Sequence, residues 1–255
     1  PNENYDGETS YVTELDDVVV QNAGVNYDDN DTVIVDGAEV ELVVQDGHVI
    51  GANVVNSGFG FNEGLFLFCI IKVVKPTLVI ESGIMKGFTT YLIDAATDKS
   101  CTICCYDISF ENIEYRSKKA KYFQNDISKT PPNVKNQKVL AFWDDHTSQL
   151  DRLEFSIKNK IKFNLFDDDL SFLNFHSDGW PPIPSISMLF DLKNKIITKN
   201  IFEWVSRGRK GEIWLENIKK RNEINQIKTH NLFPNLFKIT GFKNHSQCSL
   251  VILKE

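Results

Sequence analysis

Five short apolar segments of the chain each end in one or two carboxylates, namely Glu81, Asp107, Asp126, Asp144 with Asp145, and Asp167 with Asp168. Carboxylates can accept hydrogen bonds from sugar hydroxyls, bind hard cations such as Mg²⁺, or exchange a proton with a substrate. One acidic strand end is common in proteins. Five in succession predict one shared site, because the carboxyl ends of parallel strands meet at the same edge of a sheet.

A glycine turn follows the first of these carboxylates. Gly83 and Gly87 stand four residues apart, and Thr89 opens the helix predicted to follow them. Glycine lets backbone N–H groups approach a ligand at the positive end of a helix. The turn is not G-x-G-x-x-G, and the chain has no G-x-x-x-x-G-K-[S/T], so neither an NAD fingerprint nor a P-loop is indicated. Asp107, 26 residues after Glu81, is placed to accept hydrogen bonds from a ribose.

Alternating strands and helices must position these residues. Apolar and β-branched runs predict strands at 77–80, 101–106, 122–126, 138–143 and 163–166. Helical patterns lie at 63–74, 89–98, 111–122, 149–160 and within 187–206, and a terminal antiparallel pair is predicted at 236–242 and 248–253. The predicted fold class is α/β, a Rossmann-like mostly parallel sheet with a C-terminal antiparallel hairpin.

Residues 1–62 differ in character from residues 63–255, which we predict to be a separate α/β domain. The first 62 residues hold thirteen Asp or Glu and no Lys or Arg; since the whole chain carries −7, the remainder carries +6. Valine-rich runs at 18–20, 32–35, 39–44 and 48–55, separated by turns such as Asp36-Gly37 and Asp46-Gly47, predict a small all-β module.

The pattern N-[A/S]-G-x-x-[Y/F] occurs twice in this module, beginning at Asn22 and at Asn56. Self-similarity at this period is typical of repeats. The module resembles the small β repeats of tailed-phage virion proteins, which implies a role in homo-oligomerisation or attachment. A solvated acidic cap is the alternative, and a calcium site at positions 28, 29 and 31 would lack EF-hand spacing.

Composition narrows the class of protein. The chain has no run of about 18 uncharged apolar residues and no basic-then-apolar leader, so we expect no membrane partner and a cytoplasmic location. Five cysteines without zinc-ligand spacing are expected to be buried strand residues in a reducing compartment. The Lys and Arg groups have no interleaved aromatic residues that could stack on bases, so no nucleic-acid partner is expected.

The ordered series from position 63 to the end resembles the class I S-adenosylmethionine-dependent methyltransferases. The residues that carry the resemblance are Glu81-x-Gly83-x-x-x-Gly87, Asp107, Asn125-Asp126, Trp143-Asp144-Asp145-His146 and Phe166-Asp167-Asp168. It implies S-adenosylmethionine as the cofactor, bound by Glu81, Gly83, Gly87, Thr89, Asp107, Asn125 and Asp126.

Within that superfamily the two later acidic clusters resemble metal-dependent O-methyltransferases of small molecules and sugars and the cephalosporin-hydroxylase-like group. This resemblance implies a Mg²⁺ ion, or a similar cation, held by Asp145, Asp167 and Asp168. In the catechol type a lysine three residues after the metal-binding aspartate acts as base, whereas this chain has Ser148 there. His146 is the natural alternative base, and we predict His146 and Asp145 as the catalytic residues.

The predicted function is therefore methylation of a hydroxyl on a small molecule or a glycan, with the loop at 175–184 closing over the substrate. Two alternatives stay open. One is a non-catalytic, virion- or complex-associated protein that retains the fold. The other is a related metal or cofactor enzyme such as a hydroxylase-like member. The histidines at 48, 176, 230 and 245 lack a partner pattern and are predicted to be incidental.

Overall fold

A computed structural model of the chain describes residues 32–35, 38–45, 48–56, 61–173, 175, 181–194, 200–206, 209–234 and 247–254. The chain divides into two compact units, and in its first part the division falls between Asn62 and Glu63. This is where the change in charge divides the sequence. That the two units are domains of separate function remains a prediction.

The described part of the first unit is a three-stranded antiparallel sheet. It consists of β1 (Thr32–Val35), β2 (Ala38–Gln45) and β3 (His48–Asn56), in the order β1-β2-β3. Val35 pairs with Ala38 and Gln45 pairs with His48, so each Asp-Gly dipeptide joins two paired strands. These strands confirm the predicted hairpins. The strand predicted at 18–20, the first repeat and the calcium candidate lie outside the described residues.

The second unit contains the remaining elements. In chain order they are α1 (Phe61–Val74), β4 (Leu78–Ser82), α2 (Phe88–Ala96), β5 (Thr102–Tyr106), β6 (Ala120–Phe123), β7 (Val139–Trp143), α3 (Gln149–Lys158), β8 (Phe163–Phe166), α4 (Ile186–Lys193), β9 (Ile201–Ser206), β10 (Arg209–Trp214), α5 (Leu215–Lys219), a 3₁₀ turn (Glu223–Gln226), β11 (Ile227–Leu232) and β12 (Ser249–Leu253).

Seven of these strands form one sheet in the order β11-β12-β8-β7-β4-β5-β6. Neighbours from β8 to β6 are parallel, and β12 runs antiparallel to both β8 and β11. The chain adds β5 and β6 on one side of β4 and then returns to place β7 on the other. This topological switch lies between β4 and β7, where open α/β sheets bind ligands. The predicted Rossmann-like, mostly parallel sheet is confirmed.

The sheet is covered on both faces. Every residue of β4 and β7 is buried, as continuous apolar strands of a parallel sheet require. Ile80 and Trp143 belong to the core cluster that includes α3 and α4, whereas Val79, Leu140 and Phe142 belong to the cluster of α1 and α2. Alternate strand residues thus point to opposite helical layers. Packing on both faces holds the strands, and so the residues at their carboxyl ends, in place.

Two predicted elements are corrected. Residues 111–119, predicted as part of a helix, form an irregular loop with a turn at each end. The Lys86 carbonyl accepts hydrogen bonds from the amides of Glu114 and Tyr115 and holds this loop against the glycine turn. Within 187–206, where the sequence predicts a helix with a possible break near 193–194, helix α4 ends at Lys193 and residues 201–206 form strand β9, which pairs with β10. β12 pairs with β11 on one edge and with β8 on the other, and the strand predicted at 236–242 lies outside the described residues.

Four of the five cysteines are buried, as predicted, but Cys69 on α1 is exposed. Burial raises the pKa of Cys101 to about 11, so this thiol stays protonated and packs as a small apolar group. In the described part of the chain, no helix is long and apolar enough to cross a bilayer.

Candidate functional site

A cleft of about 440 Å³ opens at the carboxyl edge of the sheet, at the switch point. It receives residues that follow four strands, β4, β5, β6 and β7. Its lining comprises Ser82, Gly83, Met85, Tyr106, Asp107, Ile108, Ser109, Asn112, Asn125, Asp126, Asp144, Asp145, His146, Thr147 and Arg152. Five predicted site residues other than the histidine therefore share one cleft: Gly83, Asp107, Asn125, Asp126 and Asp145.

Both turn glycines are required by close approaches of the backbone. Gly83 has φ +92°, and a Cβ atom there would lie 2.1 Å from the carbonyl oxygen of Asp144. Gly87 has φ +91°, and its Cβ would lie 2.4 Å from the carbonyl oxygen of Tyr115. A side chain at either position would collide with main chain that cannot rotate away. The turn is thus tightly fixed against the end of β7 and the loop before β6.

Glu81 is fully buried at the end of β4. Its two carboxylate oxygens accept hydrogen bonds from Thr89 Oγ1 at 2.5 Å and from Thr90 Oγ1 at 2.6 Å. Burial raises the pKa of Glu81, and the threonine hydrogen bonds oppose that effect only in part. Glu81, Thr89 and Gly87 thus connect β4 to the start of α2. Their direct contact with a cofactor stays a prediction.

Asp107 connects β5 to the glycine turn and also faces the cleft. Its Oδ2 accepts the backbone N–H of Ile84 at 2.8 Å and that of Met85 at 3.2 Å, and its Oδ1 accepts the N–H of Ser109 at 3.1 Å. A carboxylate has about four acceptor positions, so one remains for a ligand hydroxyl. The turn amides orient this carboxylate toward the cleft.

Arg152 is the functional residue that sequence analysis missed. Its side chain is only 8% exposed, its Nε donates to Asp145 Oδ2 at 2.7 Å, and its NH2 donates to Asp126 Oδ2 at 2.5 Å. Hydrogen bonding from Arg152 strongly lowers the pKa of Asp126. The signal in the sequence was a polar stripe on α3, where Gln149, Arg152 and Ser156 recur at helical spacing and are all buried.

The end of β7 supplies the predicted catalytic pair. Asp145 accepts four hydrogen bonds: its Oδ2 from Ser82 Oγ and Arg152 Nε, and its Oδ1 from the backbone N–H and the hydroxyl of Thr147. His146 lines the cleft, and its backbone has the left-handed conformation, with φ +52°. Its ring is half exposed and its Nε2 lies 4.0 Å from Asp144 Oδ1.

The end of β8 is organised differently. Asp167 Oδ1 accepts a hydrogen bond from Cys248 Sγ at 2.5 Å. Asp169 is buried, and it accepts the N–H of Ser187 at 2.6 Å and contacts His230 Nε2 at 2.7 Å. His230, predicted to be incidental, therefore has a buried partner, and its ring stacks on Phe190 at 4.6 Å.

The predicted metal set spans these two strand ends. Within the residues that the structure describes, no three His, Cys, Asp or Glu side chains come together as ligands for one ion. Asp145 also has its acceptor positions filled by Arg152, Ser82 and Thr147. The donor groups as they stand do not fit a divalent cation, and Asp145, Asp167 and Asp168 remain a predicted metal set only.

The charge of the cleft is unbalanced. Four carboxylates line it, those of Asp107, Asp126, Asp144 and Asp145, against one guanidinium. Such a cleft attracts a cationic ligand and disfavours an anionic one. Polyphosphate cofactors are therefore poorly matched to it.

Several solved structures that are similar to this chain are those of methyltransferases. An O-methyltransferase from Bacillus cereus in complex with S-adenosylhomocysteine is 8% identical, covers 75% of this chain and 80% of its own, and has a TM-score of 0.42. The O-methyltransferase TomG from Streptomyces achromogenes, in complex with S-adenosylmethionine, is 6% identical, with coverages of 79% and 84% and a TM-score of 0.42. A methyltransferase from Geobacter sulfurreducens is 13% identical over 56% of this chain and 72% of its own, with a TM-score of 0.38.

No protein-family model matches the chain, and no curated protein matches its sequence. The likeness of residues 1–62 to phage virion repeats therefore has no support in these comparisons. Because the TM-scores lie below 0.5, we base the proposed function on the strand order and the cleft of this chain.

Proposed function

We propose that this protein is an S-adenosylmethionine-dependent methyltransferase that acts on a hydroxyl group of a small molecule or a sugar. The observation that carries the proposal is the acidic cleft at the switch point, with the carboxylate of Asp107 oriented into it by the glycine turn. S-adenosylmethionine combines the two groups that such a cleft suits, a ribose with free hydroxyls and a cationic sulfonium.

The residues of the cleft fit the parts of this cofactor. Asp107 has an acceptor position left for a ribose hydroxyl, and Asn125 also lines the cleft. Asn125 Oδ1 accepts the hydroxyl of Thr130 at 2.8 Å, which leaves its amide N–H groups to contact an adenine. When bound, the cofactor supplies an electrophilic methyl group on sulfur.

Proton removal from the acceptor is assigned to His146. Its imidazole is half exposed at the cleft, and its Nε2 lies 4.0 Å from Asp144 Oδ1, so the ring is accessible to an acceptor hydroxyl. Since the donor groups do not fit a divalent cation, no step of this reaction is assigned to a metal. The Mg²⁺ implied by the sequence resemblance would require Asp145 to exchange its present partners for an ion.

Calorimetry tests the cofactor assignment. We expect S-adenosylmethionine to bind more tightly than S-adenosylhomocysteine, which lacks the sulfonium charge, and we expect no binding of ATP. Tighter binding of ATP than of S-adenosylmethionine would overturn the proposal, as would no binding of S-adenosylmethionine at millimolar concentration.

His146→Ala tests the base. Loss of a positioned base should slow methyl transfer by about 100-fold to 10,000-fold while the affinity for S-adenosylmethionine stays unchanged. The measurement is transfer of labelled methyl groups to an acceptor found by screening hydroxylated compounds. An unchanged transfer rate would remove His146 from the mechanism and leave the cofactor assignment in place.

A further inference from the structure

Arg152 joins two strand ends that are not neighbours in the sheet. Its guanidinium spans from Asp145, after β7, to Asp126, after β6, although β4 and β5 lie between these strands. NH1 adds a third contact, to Asp126 Oδ1 at 3.4 Å, so the Asp126 carboxylate is approached by both terminal nitrogens. Arginine forms such forked contacts with carboxylates because its planar guanidinium matches their geometry, whereas lysine acts as a point charge.

The positive charge of Arg152 is permanent. Burial alone would lower the pKa of Arg152, but hydrogen bonds and attraction from Asp126 and Asp145 raise it above its ordinary value. The side chain is further held over the Trp143 ring, 5.7 Å from the ring centroid. A fixed cation thus lies between the two carboxylates at the back of the cleft.

A divalent cation at Asp145 would need the oxygen atoms that Arg152, Ser82 and Thr147 already use. The four hydrogen bonds to Asp145 equal the acceptor capacity of a carboxylate. Asp167, the next predicted ligand, has its Oδ1 occupied by Cys248. The protein has therefore filled the acceptor positions of Asp145, and one oxygen of Asp167, with its own hydrogen-bond donors.

We propose that Arg152 takes the place of a divalent cation in this cleft, holding Asp126 and Asp145 together so that the site is complete without a metal ion. The use of the cleft rests on the proposed methyltransferase function, but the exchange of guanidinium for metal is a separate property. Arg152 is a positioning residue, since it acts through the two carboxylates. Its removal leaves two close, uncompensated carboxylates, which is the arrangement that hard cations bind.

Thermal unfolding with MgCl₂ or EDTA tests the exchange. In Arg152→Ala, we expect Mg²⁺ to raise the melting temperature by about 2 °C or more beyond its effect on the wild type. Arg116→Ala is the matched control: this arginine lies over the rings of Phe110 and Tyr122, so its loss removes a charge without exposing a carboxylate pair. The double variant Asp126→Asn with Arg152→Ala should lose the additional Mg²⁺ response.

Two results would overturn the proposal. One is an equal Mg²⁺ response in Arg152→Ala and in the wild type. The other is loss of S-adenosylmethionine binding by the wild type in EDTA with recovery in Mg²⁺. Should Arg152→Ala be unfolded in EDTA, the expected result is recovery of its circular dichroism in Mg²⁺, and no recovery would equally contradict the exchange. A wild type that binds no S-adenosylmethionine would refute the proposed function and leave the unfolding comparison to decide on Arg152.

Discussion

The ends of β7 and β8 are neighbours in the sheet, run in the same direction and both carry consecutive aspartates, yet their surroundings differ. Asp144 and Asp145 line the cleft, whereas Asp167 contacts Cys248, directly before β12, and Asp169 contacts His230 on β11. The difference follows from the next strand. β12 lies against β8, and the chain entering it covers the end of β8, while the end of β7 lies beside the switch point. Aspartates after a strand can therefore line a cleft only where no following segment of the chain covers that strand end.

The largest loss of stability is expected at Gly83, which packs against Asp144 at the end of β7 that lines the cleft. In Gly83→Ala the new Cβ would meet the Asp144 carbonyl at 2.1 Å in a left-handed conformation, so we expect destabilisation by more than about 3 kcal/mol and loss of cofactor binding. Gly64→Ala is the control: on helix α1 its Cβ would meet side-chain atoms, Leu92 Cδ1 at 2.7 Å and the Phe88 ring at 3.4 Å, and no main-chain atom among its nearest contacts. Chemical denaturation measures both, and equal effects would show that the close approach at Gly83 is unimportant.

At the covered end of β8, Asp169→Ala should lower the free energy of unfolding and leave S-adenosylmethionine binding unchanged. It would leave the buried N–H of Ser187 and the ring of His230 without their partner, which predicts a loss of about 2–4 kcal/mol. Asp151→Ala breaks only an exposed ion pair with Arg221 and should cost less than about 1 kcal/mol. Urea unfolding gives the stabilities and calorimetry the affinities. Weakened S-adenosylmethionine binding by a stable Asp169→Ala protein would assign the end of β8 to the cleft.

Asp107→Asn should weaken S-adenosylmethionine binding and leave stability nearly unchanged, the reverse of Asp169→Ala. The amide can still accept the turn N–H groups through its oxygen, but the charged acceptor for a ribose is lost, so we expect affinity for S-adenosylmethionine to fall by about 10-fold to 100-fold. Stability should change little. A stability loss as large as that of Asp169→Ala, with unchanged affinity, would show that Asp107 serves only the turn.

The smallest effect is a pH dependence at Glu81. Because burial raises its pKa in the folded state, its contribution to stability is full below its ordinary value of 4.5 and is lost as the pH rises through the higher folded value. Glu81→Gln cannot ionise and should gain stability relative to the wild type as the pH rises above 4.5. Denaturation at a series of pH values measures the difference. A constant difference between the two proteins would mean that Glu81 keeps its ordinary pKa.

The local pattern of the sequence was sufficient to predict the parallel sheet, the glycine turn and the placing of Asp107, Asp126 and Asp145 at one edge. These features depend on short apolar runs and on residues close to them. The pairing of Asp167 with Cys248 and of Asp169 with His230 joins positions 81 and 61 residues apart, which periodicity does not reveal. The helix predicted at 111–122 failed for the same reason, since its amides bond to Lys86. Arg152 was missed because an arginine on an amphipathic helix is usually solvated.

The close approaches of Gly83 and Gly87 also bear on how such a protein could evolve. Both glycines lie against main-chain carbonyls of the protein itself, those of Asp144 and Tyr115. Selection for folding alone would therefore keep them. A lineage that lost the reaction would retain the glycine turn and a hydrogen-bond acceptor at position 107 for the turn amides, while His146 would be free to change. The identity of residue 146 in related chains would therefore distinguish chains that keep the reaction from chains that have lost it.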